Sequence, residues 1–302
     1  MAKIAILGPG GVGGFFACIL ARAGYQIVCV SSAETSQVIK ENGLSLRSPV
    51  FGDYSFRPET VTQLETPVDL LLVTVKAPYL NQALGRIAGK FLEKGLVLPF
   101  LNGFEHLQMC RTHFGSRVAA GSISIESFWE GPGKVFNPSP HSKIEVATKD
   151  SNVAGLLTSW VESFKKAGLT LTDVGSEAKV VWGKLARLNA IACTTAAAQK
   201  SVGFIRSNPE WRDYLVNCLT EGSAVAEKDG VVIDEAATMA FIDKLPEGLS
   251  TSLQRDVAKG GLNELDAIAG AILRKAAGYG MKCPAIAQMI ERIKLVPATV
   301  SF

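Results

Sequence analysis

Charge of one sign is in short supply. The chain carries 31 Lys and Arg against 28 Asp and Glu, a formal +3 over 302 residues. That is too weak an excess to draw nucleic acid or a membrane surface. Long apolar runs are also missing. Segments such as Leu70–Val75 fall far short of the ~20 residues a membrane span needs. The opening Met1-Ala2-Lys3 passes through Ile4–Leu7 straight into glycines, unlike a signal peptide. Histidine is scarce: residues 106, 113 and 141 show neither HxH nor HxxxH spacing, so no metal site is expected. The six cysteines (18, 29, 110, 193, 218 and 283) form no CxxC pair. They are too few for a disulfide framework, and a reduced, cytoplasmic protein is expected.

What remains is ordinary globular material, 47% hydrophobic and 20% charged, with enough apolar mass for a sizeable core. At roughly 150 residues per domain, the length suggests two domains. Lys3–Leu7 is a short apolar run ending at Gly8, residues 12–23 have helical spacing and stop at Gly24, and Gln26–Val30 is a second strand-like run. Strand, helix and strand this close make a right-handed βαβ unit with parallel strands. Val68–Val75 is apolar throughout, as befits a strand buried on both faces. Leu96–Leu101 and Arg117–Ile125 continue the series, 126–147 reads as an antiparallel hairpin or meander, and Val153–Lys166 as a helix before a last strand, Leu169–Val174. Beyond that point the strand patterns cease. Ser176–Ala198, Pro209–Asp229, Asp234–Lys244 and Asn263–Tyr279 read as helices. The expected fold is an α/β Rossmann-like domain with a mostly parallel sheet (residues 1–174), followed by an all-helical domain (175–302).

Gly8-Pro9-Gly10-Gly11-Val12-Gly13 is a GxGxxG loop between a strand and a helix. The first glycine permits the tight turn, the second lets backbone approach a pyrophosphate, and the third lets helix and strand pack closely. The helix N-terminus then faces the anion. At the end of the second strand, a carboxylate would bind the ribose of NAD and an arginine the 2′-phosphate of NADP. Val30-Ser31-Ser32-Ala33 offers neither, and Glu34 lies beyond. Two serines without a repelling carboxylate favour NADP, with Ser32 as a contact.

Further along stand Val73-Thr74-Val75-Lys76-Ala77, Leu101-Asn102-Gly103, Trp182-Gly183-Lys184-Leu185, Ser252-Leu253 with Asp256, and Asn263-Glu264-Leu265-Asp266. Lys76 and Asn102 follow strand ends, where open parallel sheets hold their ligands, so both are expected beside the cofactor. In order and spacing the whole set resembles the ketopantoate reductases (2-dehydropantoate 2-reductases) over nearly the whole chain. The resemblance implies an NADPH-dependent reductase of pantothenate biosynthesis acting on a small 2-keto acid; a helical domain of this size can dimerise or stand alone, so monomer and homodimer both stay open. It makes Lys184 the general acid, Glu264 the carboxylate that orients substrate and lysine, Asn102 a substrate and cofactor contact, and Ser252 a contact to the substrate carboxylate. Its site would lie between the domains. Asp266 reads as a helix-start residue near Asn263 as N-cap.

The family's asparagines four and eight residues beyond the lysine are Leu188 and Ala192 here, and a third is Val202. Asn189 is one place off, about 140° around the helix from Lys184, whereas Thr195 returns to the Lys184 face. This weakens the substrate assignment and not the fold. Two alternatives stand beside ketopantoate reduction: another 2-keto or hydroxy acid on the same fold, or a non-catalytic NADP(H)-binding sensor.

Overall fold

The sequence Lys3–Leu7 is apolar on both faces, and such a strand is stable only between two others with both surfaces covered. A computed structural model describing residues 2–131, 133–139 and 142–298 places it so. Met1, Pro132, Pro140, His141 and the segment from residue 299 onward lie outside the described residues. The chain divides into two units, Met1–Leu101 with His106–Val180, and Asn102–Glu105 with Val181–Phe302.

The first unit contains, in order, β1 (Lys3–Leu7), α1 (Gly11–Arg22), β2 (Gln26–Val30), α2 (Ala33–Asn42), β3 (Leu44–Arg47), β4 (Tyr54–Phe56), β5 (Glu59–Val61), β6 (Leu70–Val73), α3 (Leu80–Leu84), β7 (Leu96–Pro99), α4 (Glu105–Phe114), β8 (Ala120–Ser124), β9 (Phe128–Gly131), β10 (Lys134–Phe136), β11 (Lys143–Ala147), α5 (Ser151–Lys166) and β12 (Leu171–Asp173). Five strands form a sheet in the order β5-β2-β1-β6-β7, parallel at every pairing. This is the Rossmann-like arrangement expected. A three-stranded sheet, β12-β11-β8, continues from its edge through an isolated bridge between Val97 and Val118.

A four-stranded sheet, β4-β3-β10-β9, is the addition. It packs on α1, which also touches β1 and β2. Helix α1 is therefore covered on opposite sides, which explains why its run from Phe15 to Leu20 is buried throughout. A helix that is apolar all round must be interior. The expected hairpin in 126–147 is the β9–β10 pair, which is antiparallel, and β10 then pairs in parallel with β3. Several sequence boundaries move. The strand expected to run to Val75 ends at Val73; Thr74 N still donates to Leu7 O at 2.9 Å, and its hydroxyl donates to Leu7 O and Gly8 O, at 3.1 and 2.8 Å. The strand expected from Arg117 starts at Ala120, after a short helical turn over Gly115–Arg117.

The second unit is helical: α6 (Glu177–Ala198, whose first turn belongs to the other unit), α7 (Val202–Ser207), α8 (Pro209–Lys228), α9 (Glu235–Asp243), α10 (Ser252–Ala258), α11 (Ala271–Gly278) and α12 (Pro284–Lys294). Helix α6 can be Ala-rich because α8 lies close against it. A Cβ on Gly222 would already touch Ala186 at 3.6 Å. The unit break falls within α6 because Glu177 ion-pairs with Arg111 and accepts from Lys149 N at 3.3 Å, tying that turn to the first unit. The helix expected over Asn263–Tyr279 is present from Leu265 to Gly278, and its start takes the wider π form over Asp266–Gly270 before continuing as α11. Among the described residues no helix is long and apolar enough to cross a membrane, and all six cysteines are free and buried.

Candidate functional site

In the first unit the glycine loop is built by steric necessity. Gly8 adopts φ +88°, the left-handed region that side chains avoid, and donates to Val30 O at 3.0 Å. A side chain there would also strike Val75. A Cβ on Gly13 would collide with Gly8 O and the Thr74 hydroxyl, and one on Gly11 with Ser127 O. Ser127 further donates to Gly11 O at 2.8 Å, a partner that its sequence distance conceals. Val12, next in α1, packs on the core.

Gly10 differs from the others, since a Cβ there would meet nothing within 4 Å. Among the described residues no packing demands that glycine. It precedes α1, which has neither a side-chain cap nor an acidic first turn. The first N–H groups of that helix therefore face outward at the positive end of its dipole. Open space over an uncapped helix start fits a pyrophosphate.

At the end of β2 the two serines separate. Ser31 is buried and its hydroxyl is bonded to Ser36 Oγ at 2.9 Å. Ser32 is exposed and caps α2, accepting from Thr35 N at 3.3 Å. An arginine arrives there from elsewhere: Arg86 Nη1 donates to Ser31 O and Thr62 O, each at 3.1 Å. No arginine follows β2 in the sequence before Arg47, and Arg86 comes from the turn after α3. Lys76 is exposed and precedes the short helical turn Ala77–Tyr79, its carbonyl accepting from Tyr79 N at 3.0 Å.

In the second unit three expected residues meet. Lys184 Nζ on α6 donates to Asn102 Oδ1 at 2.8 Å. The same amide's Nδ2 donates to Glu264 Oε2 at 2.8 Å. Asn102 thus uses its acceptor for the ammonium and its donor for the carboxylate, the one orientation that satisfies both.

The loop carrying Asn102 is fastened at each following residue. Gly103 has φ +85° and lies so close to the π segment that a Cβ would collide with Ala267 O. Phe104 packs on Trp182, ring centres 5.9 Å apart. Glu105 receives a two-pronged pair from Arg274, at 2.8 and 2.7 Å, and Arg274 also grips Asp266 at 2.7 and 3.0 Å. Asp266 is thus a structural residue. Paired prongs of this kind fix orientation as well as distance. The wider turn of the π segment lies just beyond Glu264, and such segments are common at functional sites.

Burial lowers the Lys184 ammonium from its ordinary value near 10.5 to about 8, Glu264 pushing back and Arg187, one turn along the helix, lowering it further. Glu264 itself is only 7% exposed. A lysine in this range is ammonium at neutral pH and gives up its proton readily. The group can therefore donate a proton to an oxygen that is gaining charge.

Ser252 is exposed at the first position of α10. The hydroxyl that reaches α6 is that of its neighbour: Thr251 caps α10 and meets Thr195 Oγ1 at 2.9 Å. Asn189 is fully buried and turned to α8, its amide donating to Cys218 O at 3.3 Å, so it takes no place beside Lys184. Asp256 sits half-buried on α10. Among the described residues no cluster could hold a metal ion.

Comparison with known proteins gives a consistent account of this architecture. The family model for ketopantoate reductase PanE/ApbA matches residues 4–151, and its C-terminal companion matches 178–296. An uncharacterized oxidoreductase, YkpB of Bacillus subtilis, is 23% identical over 98% of this chain and 99% of its own. A 2-dehydropantoate 2-reductase of Halobacterium salinarum is 23% identical over 97% and 98%. Among solved structures, D-mandelate dehydrogenase with NADH and anilino(oxo)acetate superimposes with a TM-score of 0.89 at 21% identity, over 97% of both chains. A ketopantoate reductase from Ralstonia eutropha gives 0.87 at 25%, again over 97% of both.

Proposed function

Because the chain belongs to the ketopantoate reductase (PanE/ApbA) family, we propose that it reduces the carbonyl of a 2-keto acid with NADPH, 2-dehydropantoate being the first substrate to test. The observation that carries this reading is the Lys184–Asn102–Glu264 chain, with its lysine held at about 8. When bound, the nicotinamide supplies the hydride that goes to the keto carbon. Lys184 gives its proton to the oxygen, which becomes the hydroxyl. Glu264 supports the ammonium and accepts from the substrate. Asn102 holds lysine and carboxylate in register, and Ser252 takes the substrate carboxylate. Gly8, Gly10, Gly11, Val12 and Gly13 receive the pyrophosphate, with Ser32, Lys76 and Asn102 as further cofactor contacts.

A second substrate class has its own support. The positions on α6 where the family carries asparagines are Leu188, partly buried, and Ala192, buried. They leave an apolar strip on the Lys184 helix. That strip suits a bulkier 2-keto acid, such as the aryl keto acid related to mandelate.

The test is the loss of reduced-nicotinamide absorbance with 2-dehydropantoate and with phenylglyoxylate, NADPH and NADH run in parallel. Turnover with NADPH is expected, and Lys184→Ala should lower it by about 10²–10⁴-fold, the usual worth of a general acid. Near-normal turnover in that variant would remove Lys184 from the role. Turnover of phenylglyoxylate alone would select the second class. Binding of cofactor with no turnover of any keto acid would leave a sensor.

A further inference from the structure

We propose that Arg86 is the residue that selects NADPH over NADH, by holding the 2′-phosphate of the adenosine ribose. The inference rests on the dinucleotide reading of the glycine loop and goes beyond it to a residue outside every motif in the sequence.

In an open parallel sheet the ribose of the bound dinucleotide reaches the end of the second strand. Here that end is β2 followed by Ser31 and Ser32. Neither serine explains a preference for an extra phosphate. The Ser31 hydroxyl is buried and committed to Ser36, and Ser32, which caps α2, can offer the ribose a contact but no charge. Hydroxyls are also neutral, whereas the distinguishing group carries close to two negative charges at neutral pH.

Arg86 supplies the missing charge. Its Nη1 donates to both Ser31 O and Thr62 O, at 3.1 Å each, so the guanidinium stands at the ends of β2 and β5 together. Its own backbone is fixed as well: Arg86 O accepts from Leu64 N at 2.9 Å, beside the bridge between Leu64 and Ile87. One nitrogen makes both side-chain bonds. The donors on Nε and Nη2 have no protein partner among the described residues, and Arg86 is half-exposed. A guanidinium fixed by one corner presents its remaining fork to solvent, and that fork matches a phosphate. The sequence conceals this because Arg86 lies 55 residues from Ser31.

Calorimetric titration of the full chain with adenosine 2′,5′-bisphosphate and with 5′-AMP isolates the phosphate without any turnover. The bisphosphate should bind about 10–100-fold more tightly, the range of a charge-assisted phosphate contact. Arg86→Gln should erase that margin and leave 5′-AMP binding within about twofold. Arg86→Lys can still reach the two carbonyls but lacks the fork, so it should keep 5′-AMP binding and lose most of the margin. A margin that survives intact in either variant overturns the proposal and leaves Arg86 as a strand-end clamp. Equal wild-type affinity for the two nucleotides overturns it too, while sparing the dinucleotide reading. Wild-type protein that binds neither nucleotide removes that reading and the proposal together.

Discussion

The two units build their candidate sites by different means. The first offers backbone: a loop where glycines give way to one another and the uncapped start of α1. The second offers side chains: an ammonium, an amide and a carboxylate joined in a row. Backbone N–H groups carry no titratable charge, so the first unit's grip on an anion should barely change across neutral pH. The ammonium of the second is poised near 8 and should respond to every step there. A binding function and a proton-transfer function thus draw on different parts of the chemistry of a polypeptide.

The contrast sharpens most when glycines are substituted in the first unit. Gly13→Val drives side-chain carbons into Gly8 O and Thr74. Overpacking of this sort costs about 1–3 kcal/mol. Urea unfolding should register that loss, and nucleotide binding should disappear with it. Gly10→Ala meets no protein atom within 4 Å and should unfold like the wild type, yet weaken nucleotide binding at least about 10-fold by blocking close approach. Equal stability losses in both variants would show that Gly10 serves the fold.

In the second unit the expected effects are smaller and kinetic. Asn102→Ala removes two hydrogen bonds to charged groups, each worth ~1.5–3 kcal/mol. Catalytic turnover should fall by about 10–100-fold, while nucleotide affinity, measured by fluorescence titration, should fall by much less, since Asn102 is one cofactor contact among several. A parallel fall in affinity would blur the division between the units. The mildest change is Glu264→Gln. Lys184 is ammonium below about 8 and neutral above it, so the rate of carbonyl reduction should decline as pH rises through that value. Glu264 holds the lysine up. Its neutral replacement should therefore move the decline to lower pH, as a pH–rate profile would show. An unmoved profile would separate Glu264 from the lysine.

The parts of this protein that could be read from the chain are those whose causes are local. The βαβ unit rests on short apolar runs and a glycine loop within 30 residues, and the structure reproduces it. Of the β3, β4, β9 and β10 sheet only the β9–β10 hairpin was legible in the same way. The sheet's strands are short, only β3 has two buried positions, and β3 pairs with a strand far along the chain. The π segment was missed because its composition, DAIAG, suits an ordinary helix. At the site, Lys184 and Glu264 came from resemblance. Asn102 was read as a neighbour of the cofactor, and its hydrogen bonds to partners 82 and 162 residues away could come only from the fold. The off-register Asn189 was legible from helix geometry alone, since five residues of rotation turn it to α8.

The loop Asn102–Glu105 belongs to the helical unit although the chain on either side of it belongs to the sheet unit. The polypeptide therefore passes between units three times, after Leu101, after Glu105 and after Val180. A gene fragment encoding only the helices would inherit the lysine and the carboxylate without the amide that joins them. Recombination could not pass this three-residue chain on by shuffling one contiguous module. The two units are bound to share ancestry, expression and fate as a single heritable object.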